Sequence, residues 1–150
     1  LVTAYDVPNF VVILMILGYQ QAEGPIWWGR QSALVGINNL LVLIGFYMIT
    51  GSIIGARISR FIRHPQLTAI KLWAIAHLLV NGDLASLILF GGLLIWAVLA
   101  VILINRQEEA PVIEQGPIAW APEMGALSAA IVIYGLVGYV HSWLGYPVHG

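Results

Sequence analysis

Apolar residues fall into five blocks along this chain: about Asn9–Ala22, with a start as early as Val2, then Ser32–Gly55, Pro65–Asn81, Asp83–Ile104 and Met124–Leu144. A helix needs about 20 apolar residues to cross a bilayer, and about 17 are tolerated. The second, fourth and fifth blocks meet this easily. The first meets it only with Pro8 in its opening turn, where a proline is tolerated. The third carries Lys71 and His77, so that part of it must face protein or water rather than lipid. Backbone polar groups in hydrocarbon must be satisfied within the segment, so each block is predicted to be a helix.

The polar intervals agree with these boundaries. Pro65 stands at the start of the third block, where its missing N–H costs nothing. Asn81-Gly82-Asp83 is a turn signal, and it predicts an antiparallel hairpin of the third and fourth helices. The stretch from Asn105 to Glu123 is the one long loop, polar and acidic, with Pro111, Pro117 and Pro122. Trp27, Trp28, Trp120 and Trp143 lie near expected helix ends, where indoles favour the headgroup zone.

Composition strengthens the membrane reading. The chain has 150 residues, is 60% hydrophobic and only 9% charged, and has a mean hydropathy of +0.90. A soluble domain carries roughly a quarter charged residues. A domain this small could not hide so much apolar surface in one core. The net charge of −1 suggests no nucleic-acid partner, and the absence of cysteine excludes disulfides, thiolate metal sites and a cysteine nucleophile. The expected architecture is all-α, a multi-pass transmembrane bundle forming one domain over residues 1–150. About five helices are present, and the start at Leu1 suggests one more upstream.

Basic residues set an orientation. Arg57, Arg60 and Arg63 lie between the second and third helices and Arg106 follows the fourth, while only Arg30 lies on the other side. The positive-inside rule places the Arg57–Arg63 loop in the cytoplasm.

Few residues could carry chemistry. His149 sits beside a chain end and reads as a surface residue. His64, in Arg63-His64-Pro65, fits either an interfacial cap or, with Arg60, Arg63 and Lys71, a site for an anion or a lipid headgroup at a helix start. Lys71 can also snorkel to the surface. His77 lies inside an apolar helix and needs a partner there: a hydrogen bond, a metal or a haem iron. His64 is about 20 Å from His77 along one helix, too far to share a metal. Haem iron takes axial ligands from opposite faces. His141 is a candidate partner, offset from His77 by about 8 Å along the bundle. Trp73, one turn before His77, fits plain packing or the flank of a porphyrin or polyene. Asn38 and Asn39 are expected to bridge helices. Glu108, Glu109, Glu114 and Glu123 read as solvated loop charge rather than as an acid–base pair. There is no phosphate loop, zinc-ligand spacing or nucleophile–base pair.

Arg63-His64-Pro65-Gln66-Leu67, Lys71-Leu72-Trp73-Ala74, Ala76-His77-Leu78-Leu79, Asn81-Gly82-Asp83-Leu84-Ala85 and Leu89-Phe90-Gly91 together resemble the NnrU family, and His141-Ser142-Trp143-Leu144-Gly145 matches its last helix more loosely. The resemblance implies a bacterial inner-membrane protein associated with nitrite and nitric oxide reduction. NnrU proteins are in turn similar to zeta-carotene isomerase, a membrane protein that uses haem b. By that likeness His77 matches a proposed haem-ligating histidine, and the second proposed ligand lies in an upstream helix. The isomerase has a cysteine three residues before this histidine, where the present chain has Ala74, so a ligand switch through that cysteine is not available. A more distant likeness, to isoprenylcysteine carboxyl methyltransferases, stops at the Arg-His-Pro; their cofactor region has no counterpart between residues 105 and 150.

Three functions are therefore expected as alternatives. The first is haem b bound through His77, with His141 and Trp73 beside it, serving isomerase-like or redox chemistry in denitrification or carotenoid metabolism. The second is an accessory subunit or assembly factor of a respiratory or photosynthetic membrane complex. The third is a lipid- or quinone-facing site at Arg60, Arg63, His64 and Lys71.

Overall fold

The computed structural model describes residues 6–109 and 119–148. Glu114, the loop prolines Pro111 and Pro117, His149 and the early helix start near Val2 lie outside the described residues. Five long helices and one short one follow in order: α1 (Asp6–Gln21), α2 (Ser32–Ile54), α3 (Ile58–Phe61), α4 (Pro65–Val80), α5 (Leu84–Gln107) and α6 (Trp120–Trp143). Three of them, α2, α5 and α6, are long and apolar enough to cross a membrane. The α1 and α4 helices have 16 residues each, or about 24 Å at the α-helical rise. They are shorter than the roughly 30 Å hydrocarbon core.

The bundle is built around α2, which packs against α4 on one side and α6 on the other, while α4 packs against α5. The buried positions are mostly small: Ala69, Ala74, Ala76, Ala97, Ala126, Ala130, Ser86, Thr50, Gly45 and Gly51. Large apolar side chains point outward, among them Ile88, Ile95, Trp96, Leu103, Val132 and Leu136. Between helices in lipid there is no hydrophobic drive to bury bulk, so close backbone approach and a few interhelix hydrogen bonds hold the bundle. Thr50 makes one of these bonds, donating from α2 to the Ala126 carbonyl of α6 at 2.8 Å.

The helix ends follow local chemistry. Gly55 closes α2 in the left-handed conformation, φ 78°, which glycine adopts without a Cβ penalty. Pro65 opens α4. Asp83 caps α5 by accepting from the Ser86 backbone N–H at 2.8 Å and from the Ser86 hydroxyl at 2.6 Å.

The hairpin expected at Asn81–Asp83 is present, and it has a partner that the turn signal did not reveal. The segment between α1 and α2 runs alongside it, with Trp27 N–H donating to the Gly82 carbonyl at 2.9 Å and Gly82 N–H to the Trp28 carbonyl at 3.2 Å. The Trp28 indole N–H donates to the Leu78 carbonyl at 2.9 Å, satisfying an exposed end of α4. Two boundaries differ from expectation. The α5 helix continues to Gln107, and α6 begins at Trp120 rather than Met124. Glu123 thus belongs to the first helical turn and not to a loop.

Candidate functional site

His77 lies three residues from the end of α4, half-buried, in a cluster of rings. Its centroid is 4.9 Å from that of Trp73 and 4.6 Å from that of Phe90 on α5, and Trp73 meets Phe90 edge-on at 5.1 Å. Helical spacing of four residues brings Trp73 and His77 to one face. The α4–α5 packing supplies Phe90, whose part in the cluster the sequence did not signal. Tyr19 of α1 extends the cluster, 6.2 Å from Phe90, and its hydroxyl is hydrogen-bonded to that of Ser86 at 2.8 Å.

The hydrogen bond on His77 fixes its tautomer. Nδ1 is 3.0 Å from the Trp73 carbonyl oxygen. A carbonyl only accepts, so Nδ1 carries the hydrogen and donates. In the uncharged ring Nε2 then keeps its lone pair. His141 repeats the arrangement on α6, with Nδ1 donating to the Val137 carbonyl at 2.8 Å. Asn38 and Asn39 of α2 occupy the same end of the bundle. Asn39 donates to the Val148 carbonyl at 3.1 Å, tying the chain's end to α2. Asn38 donates to the Asn39 side-chain oxygen at 3.1 Å or, with its amide turned over, to the Ala76 carbonyl of α4 at 2.9 Å. Asn38 bridges α2 to α4 only in the turned-over orientation, and Asn39 reaches the segment after α6 rather than a helix.

A histidine held through Nδ1 by a backbone carbonyl, with Nε2 open, has the donor arrangement found in metal-ligating histidines. His77 and His141 therefore fit haem iron in donor chemistry. Among the described residues, no group of three or more His, Cys, Asp or Glu is arranged to hold a metal ion by itself.

The residues at the opposite end of the bundle make other contacts. Arg63 donates from its guanidinium to the carbonyls of Glu108 and Glu109, at 2.8 and 3.1 Å, just beyond the C-terminus of α5. His64 Nε2 lies 2.9 Å from the side-chain oxygen of Asn105. Both therefore tie the start of α4 to the end of α5, where a cation also meets the negative end of the helix dipole. Arg60 is exposed and Lys71 half-buried.

Glu123 is the residue misread from the sequence. Its carboxylate accepts from the Tyr47 hydroxyl at 2.5 Å and from the backbone N–H of Arg57. It clamps the end of α2 to the start of α6 and does not merely meet solvent. An acidic residue at the start of an apolar run is a helix-opening signal that could have found it.

A family model for the NnrU protein matches residues 7–148. The fold and this match define an integral membrane protein of helical-bundle type. The chain belongs to the NnrU family. Comparison with curated proteins and with solved structures gives no match.

Proposed function

We propose that this protein binds haem b through His77. The observation that carries the reading is the His77 ring itself: its Nδ1–H is held by the Trp73 carbonyl at 3.0 Å, and its Nε2 lone pair is available within an apolar ring cluster. His141, with the same backbone-anchored Nδ1, is the candidate second ligand within this chain. Trp73 and Phe90 pack against the His77 ring and restrict its orientation. Haem bound there would supply an iron centre for isomerase-like or redox chemistry, in keeping with the family's association with nitrite and nitric oxide reduction. The cytoplasmic membrane of a bacterium is the compartment that reading implies.

The test is an optical spectrum of the purified protein, oxidised and dithionite-reduced, beside His77→Ala and His141→Ala variants. A Soret band with sharp reduced bands, lost in folded His77→Ala protein, is expected. Loss or a shift of the bands in His141→Ala would make His141 the second ligand. A well-folded wild-type protein that takes up no haem, or a His77→Ala variant that keeps it, overturns the proposal. The accessory-subunit reading then follows, to be pursued through the proteins that co-purify with the chain.

A further inference from the structure

A second polar constellation lies at the other end of the bundle from His77, where the end of α2 meets the start of α6. Tyr47, Arg57, Trp120, Glu123, Met124 and Leu127 line a cavity of about 290 Å³. Ligand sites start at about 300 Å³, so this one suits a headgroup rather than a porphyrin. The Glu123 carboxylate accepts from Tyr47 and from the Arg57 backbone. An ionised carboxylate has about four lone-pair positions, so two remain for a ligand. The Arg57 guanidinium does not sit on this carboxylate. It lies over the Phe61 ring, 4.8 Å from the centroid. Glu123, with acceptor positions left, and Arg57, whose guanidinium is not spent on that carboxylate, thus both line the same cavity.

The remaining wall is apolar and open to the bilayer. Trp120 is 70% exposed and Met124 59%, continuous with the outward face of α6. An indole at a helix start suits the headgroup zone. A soluble metabolite has no use for such a wall, whereas a lipid has chains to lay along it. We propose that the cavity binds the headgroup of a zwitterionic aminophospholipid of the phosphatidylethanolamine type. Its ammonium N–H groups donate to Glu123, its phosphate accepts from Arg57, and its acyl chains lie along Trp120, Met124 and Leu127. Phosphatidylcholine has the same phosphate but no N–H to donate. An anionic headgroup would place a second negative charge beside Glu123.

Delipidated full chain in detergent, titrated with phosphatidylethanolamine, its N-methyl and N,N-dimethyl derivatives, phosphatidylcholine and phosphatidylglycerol of the same acyl chains, tests this by native mass spectrometry. One retained phosphatidylethanolamine is expected, preferred about tenfold over phosphatidylcholine, the scale of one charge-assisted hydrogen bond. Affinity should fall stepwise as N-methylation removes donors. Arg57→Gln keeps the backbone N–H that holds Glu123; it should weaken every phospholipid while the ethanolamine preference survives. Glu123→Gln should abolish the preference. Equal binding of ethanolamine and choline lipids, tighter binding of phosphatidylglycerol, or a flat methylation series overturns the proposal, even where Glu123→Gln protein does not fold.

Discussion

Gly82 lies in a turn, yet its φ is not left-handed; among the described residues only Gly55 and Gly145 have positive φ. What requires glycine at position 82 is the Trp28 indole, since an added Cβ would stand 2.3 Å from that ring. Gly82→Ala must push Trp28 off the end of α4 and is expected to cost about 1–3 kcal/mol, the range for forced overpacking. Gly91→Ala, with nothing within 4 Å, should be neutral or stabilise by up to about 1 kcal/mol through helix propensity. Thermal unfolding of the two variants in detergent, with tryptophan fluorescence for Trp28, checks the contrast. Equal effects would mean that the indole does not rest on Gly82. The turn itself was legible in the Asn-Gly-Asp sequence. The reason for its glycine was not, because Trp28 is more than fifty positions away along the chain. Glu123 was misread for a similar reason: its carboxylate accepts from Tyr47 and Arg57, from a helix and a loop distant in sequence.

Among the elements, α5 is the one whose start depends most on a single side chain. Burial pushes the Asp83 carboxyl up, but hydrogen bonds from the Ser86 side chain and the backbone N–H groups of Ser86, Asp83 and Ala85 outweigh it and hold the group below the usual carboxylate range. A depressed folded pKa means that the capping contribution is complete above the unfolded value, about pH 4, and is lost as pH falls through the folded one. Asp83→Ala should therefore destabilise the protein by about 1 kcal/mol at neutral pH, as cap losses do. The difference from wild type should shrink once the pH drops below about 4. A pH-independent difference would show that the carboxylate charge is not what stabilises the cap. The contact of α2 with α6 has a comparable single bond. Thr50→Val removes the hydroxyl that reaches Ala126 and should cost about 0.6 kcal/mol and at most roughly 1.7, the span measured for such bonds in membranes. Denaturation in mixed micelles reads it, and no change would assign the α2–α6 packing to close backbone approach and the Tyr47–Glu123 bond.

At the scale of the molecule, Arg57, Arg60, Arg63 and Arg106 gather at one end of the bundle and Arg30 stands near the other. The end with Arg57, Arg60, Arg63 and Arg106 is expected in the cytoplasm. The chain has no cysteine, so single cysteines report topology cleanly. In intact cells a membrane-impermeant maleimide should label Gly29→Cys and spare Gln107→Cys, both at exposed positions; the reverse pattern would invert the orientation. The helices and their order were readable from sequence alone, because in lipid every long apolar run must satisfy its own backbone and has little choice but a helix. His77 was also readable as a candidate, since an imidazole in such a run requires a partner. Tertiary structure decided what the partners are. It set Phe90 against His77, spent Arg63 and His64 on the end of α5, and left a cavity beside Arg57 and Glu123. Those outcomes depend on which helix faces which. In this bundle the facing surfaces are largely alanine, glycine, serine and threonine, and such small residues leave no periodic signal by which a sequence can announce its neighbours.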